Sequence, residues 1–403
     1  MVGLLRHHVF RRLYGAHVIH LLGNEFTFIA VLGLLKELSG SGLSFAAGTV
    51  FRFLPYVVAS FFAGPLLEKW EKRRVMVVCN LLRGILVSLF FWITDAAYLW
   101  AVYAVLMMVN VCSAFFNPSM QVVIVQSVEP ESRLSANSLI TGTNALMMFI
   151  GQGIAAYLVY AFSFRFNFLL DAGCYFLSLL FLLRLPAIQT PHADAEARGF
   201  FGRLLEGFRY VKKNASIRKV LFLQMMERVT GSYYVLLMFF ILEERQQPLY
   251  LFGLLDIPLG IGGVLAGLLV SKWAERLDPR RIDALLAGAL WVISISVWLM
   301  FHSGHVAVWM ATTFFLAIAS FSLVILSVTR LQRMADPAFL ARVFSVREMV
   351  CMGAYSLSCL VIGWGTEWLK SAAIADGIAG FGIVAGVIWM LLRTKAAALD
   401  GKN

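Results

Sequence analysis

The sequence predicts an all-α integral membrane protein of twelve transmembrane helices in two pseudo-symmetric six-helix bundles, and three observations carry that prediction. The 403 residues are 60% hydrophobic and 14% charged, with a mean hydropathy of +0.79, a balance outside that of water-soluble domains. Apolar stretches of about 20 residues, the length that crosses a bilayer, recur along the whole chain. A short motif also occurs twice, half a chain apart. Gly64-Pro-Leu-Leu-Glu68-Lys69-Trp70 runs on to Arg73-Arg74, and Gly267-Leu-Leu-Val-Ser271-Lys272-Trp273 runs on to Arg280-Arg281. Each copy closes one apolar stretch and opens a basic turn before the next, which is the mark of an internal duplication.

In chain order the predicted spans are 13–35, 45–67, 75–94, 97–121, 138–161 and 166–185, then 220–242, 249–271, 282–301, 306–329, 344–366 and 371–392. The connection between the two sets, 186–218, is long and polar. It holds His192, Asp194, Glu196 and Arg198 and ends in a segment around 201–211 with the pattern of an amphipathic helix. The expected organisation is therefore an N-terminal bundle (1–185), a linker (186–218) and a C-terminal bundle (219–403).

Lysine and arginine fix the expected orientation, because positive residues in short loops stay cytoplasmic. The N-terminus, the linker and the even-numbered connections hold most of them, including Lys69, Arg73, Arg74, Arg133, Lys272, Arg280, Arg281 and Arg342. The odd-numbered connections hold Lys36, Arg165, Arg245 and Lys370. Both termini should be cytoplasmic, in the inner (plasma) membrane of a bacterium. The net charge of +11 then reflects topology and contact with lipid headgroups, not nucleic-acid binding. The first apolar stretch is of full span length and lacks a small-residue cleavage site, so it should insert and stay. Cys79, Cys112, Cys174, Cys351 and Cys359 are scattered within spans, without the spacing of a metal or disulfide site, and packing is their expected role. No metal, cofactor or catalytic residue is expected, and a monomer is.

Further short motifs lie in the turns: Asn80-Leu-Leu-Arg83 in span 3, Asn117-Pro118, Val128-Glu129-Pro130-Glu131 and Leu134-Ser-Ala-Asn137-Ser138-Leu139 between spans 4 and 5, and Gln332 with Ala341-Arg342-Val343-Phe344-Ser345 entering span 11. With the duplicated turn and the six-plus-six division, the chain resembles the major facilitator superfamily, and within it the macrolide-efflux and enterobactin-exporter type. That resemblance implies that Glu68 meets a partner near the start of span 11 to lock the two halves on the cytoplasmic side, and Arg342 is the candidate partner. The gating set is Gly64, Glu68, Lys69, Arg73, Arg74, Gly267, Lys272 and Arg342. The glycines leave room for close helix approach, and the basic turns anchor at headgroups. Ser271 stands where the first copy has Glu68, which restricts the acid–base lock to one side of the pseudo-twofold axis.

Ionisable residues inside spans cost about 2.5–3.5 kcal/mol at a helix centre, so they face a cavity or a partner. In span 1, His17, His20, Asn24 and Glu25 form a polar stripe on one broad face. Arg52 in span 2 is a possible counter-charge for Glu25. Span 7, the repeat-mate of span 1, carries Gln224, Glu227 and Arg228. The last two point about 100° apart and need not pair with each other. These eight residues are the expected substrate and proton pathway. Asp171, Asp256 and Glu348 lie nearer span ends, where capping, snorkelling or gating is expected.

A carboxylate that moves between low dielectric and water can load and release a proton, and Glu25 and Glu227 are the expected carriers, with His20 as an alternative. Span 4 has no arginine, and span 5 reads Gly151-Gln152-Gly153 where drug antiporters have Gly-Pro. The expected function is export of a small amphipathic or charged molecule, siderophore-like or drug-like, by alternating access with proton antiport. A proton-coupled importer and a lysophospholipid transporter or flippase of the same fold are the alternatives. The absence of HExxH, Gly-x-Ser-x-Gly and P-loop motifs argues against an enzyme or an ATP-driven pump.

Overall fold

The computed structural model describes residues 2–38, 42–188, 200–231, 241, 244–246, 250–273, 279–365 and 368–400, and they are helical almost throughout. We number the helices α1 (His8–Leu38), α2 (Gly42–Lys69), α3 (Lys72–Leu89), α4 (Leu99–Ser127), α5 (Arg133–Ala161), α6 (Phe164–Leu182), α7 (Phe200–Lys213), α8 (Ala215–Gly231), α9 (Tyr250–Trp273), α10 (Pro279–His302), α11 (Val306–Met334), α12 (Leu340–Gly365) and α13 (Ser371–Asp400). Ten helices among the described residues are long and apolar enough to cross a bilayer. To these α2 adds 28 residues at the second predicted span, and α8 covers the start of the seventh. The rest of that span, 232–240, lies outside the described residues.

The helices outrun the apolar windows that predicted them. α5 starts at Arg133 and not at 138, and α11 runs on to Met334 and not 329. Hydropathy registers only the hydrocarbon-embedded turns, whereas backbone hydrogen bonding carries a helix into the headgroup layer, where polar side chains are welcome. The amphipathic segment of the linker is α7, which packs on α2.

The side chains that face outward confirm what the surrounding medium must be. Val78, Leu81, Leu82 and Ile85 of α3, Leu177 and Leu180 of α6, and Phe381, Val384 and Leu391 of α13 are all exposed, a surface that only lipid satisfies. Trp92, Trp100 and Trp368 stand exposed near helix ends, as tryptophan does at membrane interfaces.

Two compact units are defined by contacts, and their boundaries do not follow the two sequence repeats. The first comprises Met1–Ala136, Leu146–Ala215 and Gln332–Gly353, the second Asn137–Ala145, Ser216–Leu331 and Ala354–Asn403. In the first unit α1 packs on α6, α2 and α3 on α4, and α3 on α6, around a core that includes Leu34, Val87, Phe90, Val102 and Phe168. In the second, α10 packs along α13, and Leu255, Ile293, Trp309 and Leu316 form the core. Each unit thus takes in the opening turns of a helix from the other repeat: α12 enters the first through residues up to Gly353, and α5 enters the second through Asn137–Ala145.

Candidate functional site

The turn after α2 is built by local chemistry. Glu71 is the N-cap of α3: its carboxylate accepts from the backbone N–H groups of Arg73 (3.1 Å) and Arg74 (3.2 Å), and from that of Ile188 at 3.2 Å. The first two are orphan donors of a helix start, and the acid suits the positive end of the helix dipole. Lys72 is fully buried and donates to the carbonyls of Leu67 and Trp70, closing the end of α2. Lys69 and Arg74 are exposed and Arg73 is half-buried; Lys272, after α9, is exposed too.

Above this turn the structure brings Glu68 and Arg342 together. Both are more than nine-tenths buried, and their side chains form a charge-assisted ion pair with two separate contacts. Gly64, one turn earlier in α2, lies against α12: a Cβ there would sit 3.2 Å from the Arg342 Cα and 3.3 Å from the Ser345 Cβ. A second carboxylate completes the site. Glu206 of α7 accepts from Arg342 Nη1 at 3.1 Å, so one guanidinium holds two acids from two helices. The Arg342 guanidinium also lies over Phe339 (4.8 Å), which stacks on Tyr210 of α7 with ring centroids 4.4 Å apart. The Tyr210 hydroxyl accepts from the Asp336 backbone N–H at 3.0 Å.

Deeper along α12, Glu348 forms an ion pair with Arg347 and accepts from the Tyr56 hydroxyl at 2.7 Å, which in turn accepts from Asn117 Nδ2 at 3.0 Å. Between α4 and α5, Arg133 donates to the carbonyls of Val125 (2.9 Å) and Gln332 (3.3 Å). Sequence reasoning missed Glu206, Lys72 and Arg133 as site residues. Lys72 and Arg133 read as further charges in basic turns and Glu206 as one in the linker, and only their contacts distinguish them.

In the second unit Gly267 occupies the place of Gly64. A Cβ there would lie 2.7 Å from the Ser138 carbonyl oxygen of α5, and Asn137 donates to Thr329 at 2.9 Å. Ser271, in the position of Glu68, donates into its own helix at Leu268. Both glycines meet backbone first, but at 2.7 Å for Gly267 against 3.2 Å for Gly64, so Gly267→Ala should lower the thermal unfolding temperature of the detergent-purified protein more than Gly64→Ala, with about 1–3 kcal/mol of overpacking at the former. Equal melting curves for the two variants would refute the closer approach at Gly267.

The ionisable residues of α1 divide into two environments. His17 and His20 are buried, and the His20 ring stands 5.5 Å from Phe116 and 5.2 Å from Tyr175. Asn24 contacts His20 Nε2 at 3.2 Å and accepts from the Tyr175 hydroxyl at 2.7 Å. His20 thus faces α4 and α6, and Asn24 faces α6. Glu25 is half-buried and accepts from Gln152 Nε2 of α5 at 2.9 Å, with Gly151 letting α5 come close to it. The Gly-Gln-Gly sequence that departs from the antiporter pattern is thus the partner of Glu25. The side chain of Arg52, the counter-charge expected for Glu25, lies outside the described residues.

In α8, Gln224 donates to Ser327 at 2.7 Å, and Glu227 accepts from Ser320 at 2.6 Å, both partners on α11. Glu227 and Arg228, which backbone geometry does not oblige to pair, lie together: Arg228 Nε is 3.5 Å from Glu227 Oε2, because a long arginine stem can fold back across the 100° between consecutive residues. Asp171, expected to act near a span end, instead sits within α6 at 1% exposure.

Comparison with known proteins agrees with this architecture. BacE of Bacillus subtilis (strain 168), named for bacilysin export, is 23% identical over 350 residues, covering 86% of this chain and 84% of that one. The multidrug efflux pump Tap of Mycolicibacterium fortuitum is 25% identical over 273 residues, 63% of this chain and 65% of that one. Among solved structures, the human organic anion transporter MFSD10 superposes with a TM-score of 0.79 at 15% identity, over 94% of this chain and 99% of that one. A bacterial homologue of the iron transporter ferroportin, in its outward-facing state, also gives 0.79, at 13% identity over 96% and 99%. These structures share the fold. The sequence signature of the Major Facilitator Superfamily matches residues 13–359, and the chain belongs to that family of membrane transporters.

Proposed function

We propose that this transporter exports a small amphipathic or charged molecule from a bacterial cell by alternating access, in exchange for protons, with both termini and the linker cytoplasmic. The observation that carries this reading is the buried Glu68–Arg342–Glu206 cluster at the turn after α2. A buried ion pair contributes little net stability against an apolar replacement, but it is costly to break from one side. It therefore suits a contact that must form and release as a unit, which is what a gate does. Gly64 sets the distance at which it closes, and Lys69, Arg73, Arg74 and Lys272 remain at the headgroup level.

In this reading α1 and α8 supply the pathway. Glu25 with Gln152, and Glu227 with Ser320 and Arg228, are carboxylates on repeat-related helices, each held by a neutral hydrogen-bond donor that tolerates either protonation state. Gln224, His17, His20, Asn24 and Arg52 complete the polar lining or support it. Relatives named for bacilysin export and for multidrug efflux support outward transport of a small-molecule load, and the mixed charges favour a charged metabolite over a purely apolar drug.

The test is a mass-spectrometric comparison of extract and medium from a strain lacking this protein and from the restored strain. The expected result is a small molecule that accumulates in the deletion strain and is depleted from its medium. A compound left outside would replace export by uptake, and a change confined to membrane lipids would replace it by lipid transport.

A further inference from the structure

Behind α1, inside the first unit, two opposite charges face each other without meeting. Arg83 of α3 and Asp171 of α6 are each 1% exposed. None of the three guanidinium nitrogens and neither carboxylate oxygen makes a hydrogen bond of good geometry. The two groups are within electrostatic reach of one another, yet form no ion pair among the described residues. A buried charge without a partner is expensive, so this arrangement needs an explanation.

Each group has a second set of neighbours that supplies one. The Arg83 guanidinium lies over the rings of Phe116 (5.0 Å) and Tyr175 (5.9 Å), which stabilise a cation without any carboxylate. Asp171 lies against the backbone of α1 at Gly23, where a Cβ would collide with Oδ1 and stand 2.9 Å from the Cys174 Cβ. The Thr27 hydroxyl is beside it. Arg83 can therefore rest on the aromatic rings while Asp171 is a neutral acid, or turn to Asp171 when the latter is a carboxylate. Both states are satisfiable, and one proton separates them.

We propose that Asp171 is a proton-binding site of the transport cycle, with Arg83 as its alternating counter-charge. The carboxylate takes one proton to become the acid and returns it to water, while the guanidinium stays charged throughout. This rests on the proton-coupled reading above and adds to Glu25 and Glu227 a carboxyl that lies outside the substrate pathway.

The other titratable groups around the pair are His17, His20 and Glu25 on α1, Cys79 on α3, Cys112 on α4, and Cys174 and Tyr175 on α6. The link to the cycle is α1 itself. It packs along α6 at the Gly23–Asp171 contact and carries Glu25 two residues further on, so a change of charge at Asp171 acts on the helix that holds the pathway carboxylate.

Infrared difference spectroscopy of the purified protein in liposomes, between alkaline and acid pH, tests the site with the proton as the only ligand. The expected result is a protonated-carboxyl stretch that titrates in the unmodified protein, persists in Glu25→Gln and Glu227→Gln, and is lost in Asp171→Asn. Arg83→Gln should move its midpoint. The double variant Asp171→Asn/Arg83→Gln removes both charges, so it should also lack the band, and Asp171→Asn alone, whose guanidinium keeps the rings of Phe116 and Tyr175, should stay folded. A second readout ties the site to the cycle: labelling of Ser345→Cys by an impermeant maleimide in inside-out vesicles should depend on pH, and the dependence should vanish with Asp171→Asn. A band that survives in the Asp171 variants, or a pH-dependent labelling rate unchanged by them, would overturn the proposal. If both readouts behave as expected but the exported compound moves without counter-transport of protons, antiport fails and the proton site stands.

Discussion

Arg342→Gln should open the gate and stop transport. The guanidinium is 5% exposed and neutralises two carboxylates, of which Glu68 is 8% exposed and Glu206 30%. Removing one side of a buried ion pair costs about 3–5 kcal/mol, and 1.4 kcal/mol is about a factor of ten in an equilibrium constant, so the closed state should lose roughly a hundredfold to a thousandfold in population. Ser345 is buried where α12 meets Gly64. In inside-out vesicles a cysteine at that position should therefore label with impermeant maleimide faster by about the same factor in the Arg342→Gln background.

The three charges should also rank. Glu68→Gln leaves Arg342 with Glu206 and should be milder. Glu206→Gln removes the most exposed member, and partly solvated pairs contribute about 0–1 kcal/mol, so its effect should be smaller still. A labelling rate at Ser345→Cys that does not respond to Arg342→Gln would remove the pair from gating and leave it as a structural contact. Folding separates from gating in the double variant Glu68→Gln/Arg342→Gln, which buries no unpaired charge at Glu68 and should recover thermal stability without recovering transport.

How much of this could be read in the sequence follows from which physical signal each feature leaves. Spans are legible because a bilayer demands long apolar runs, and α1 to α6 each overlap a predicted span, with ends displaced by a few residues. A close helix approach at Gly64 was legible because the motif occurs twice; that α12 is the helix it meets is seen only in the structure. Burial of charge leaves no such trace. Lys72 lies between Glu71 and Arg73 in a run that reads as headgroup contact, yet it is fully buried on backbone carbonyls. Arg83 stands out in the sequence only within the Asn80–Arg83 motif, because a single arginine in a span does not reveal that Phe116 and Tyr175, on two other helices, will flank it. The Glu206 contact needs a linker helix to fold back on α2, a long-range event that local pattern cannot encode. The Glu227–Arg228 contact was left open by backbone geometry, and side-chain length decides it.

Glu227→Gln should abolish uphill transport while leaving the protein folded and inserted. The replacement keeps the shape of a residue that is 4% exposed, and an amide oxygen can still accept the Ser320 hydroxyl that Glu227 Oε1 now accepts at 2.6 Å. What it loses is the charge beside Arg228 and the ability to take up a proton. The cost to folding is modest because the Arg228 side chain is 31% exposed and water can solvate it. The cost to coupling is complete, since an amide does not titrate in the accessible range.

Under the proposed antiport, cells expressing the variant should therefore reach the same concentration of the exported compound inside and out, whereas the unmodified protein should hold a gradient set by that of protons. Ser320→Ala should be intermediate, because it removes one hydrogen bond to a charged group, worth about 1.5–3 kcal/mol, and leaves the proton site in place. Glu25→Gln sharpens the test, as Gln152 already holds that carboxylate through a neutral donor and the same exchange of shape for charge applies. If uphill transport survives Glu227→Gln but not Glu25→Gln, the coupling proton belongs to α1 and α8 serves only to bind the load. If it survives both and fails in Asp171→Asn, the proton is carried behind α1, and the two pathway carboxylates act on the substrate alone.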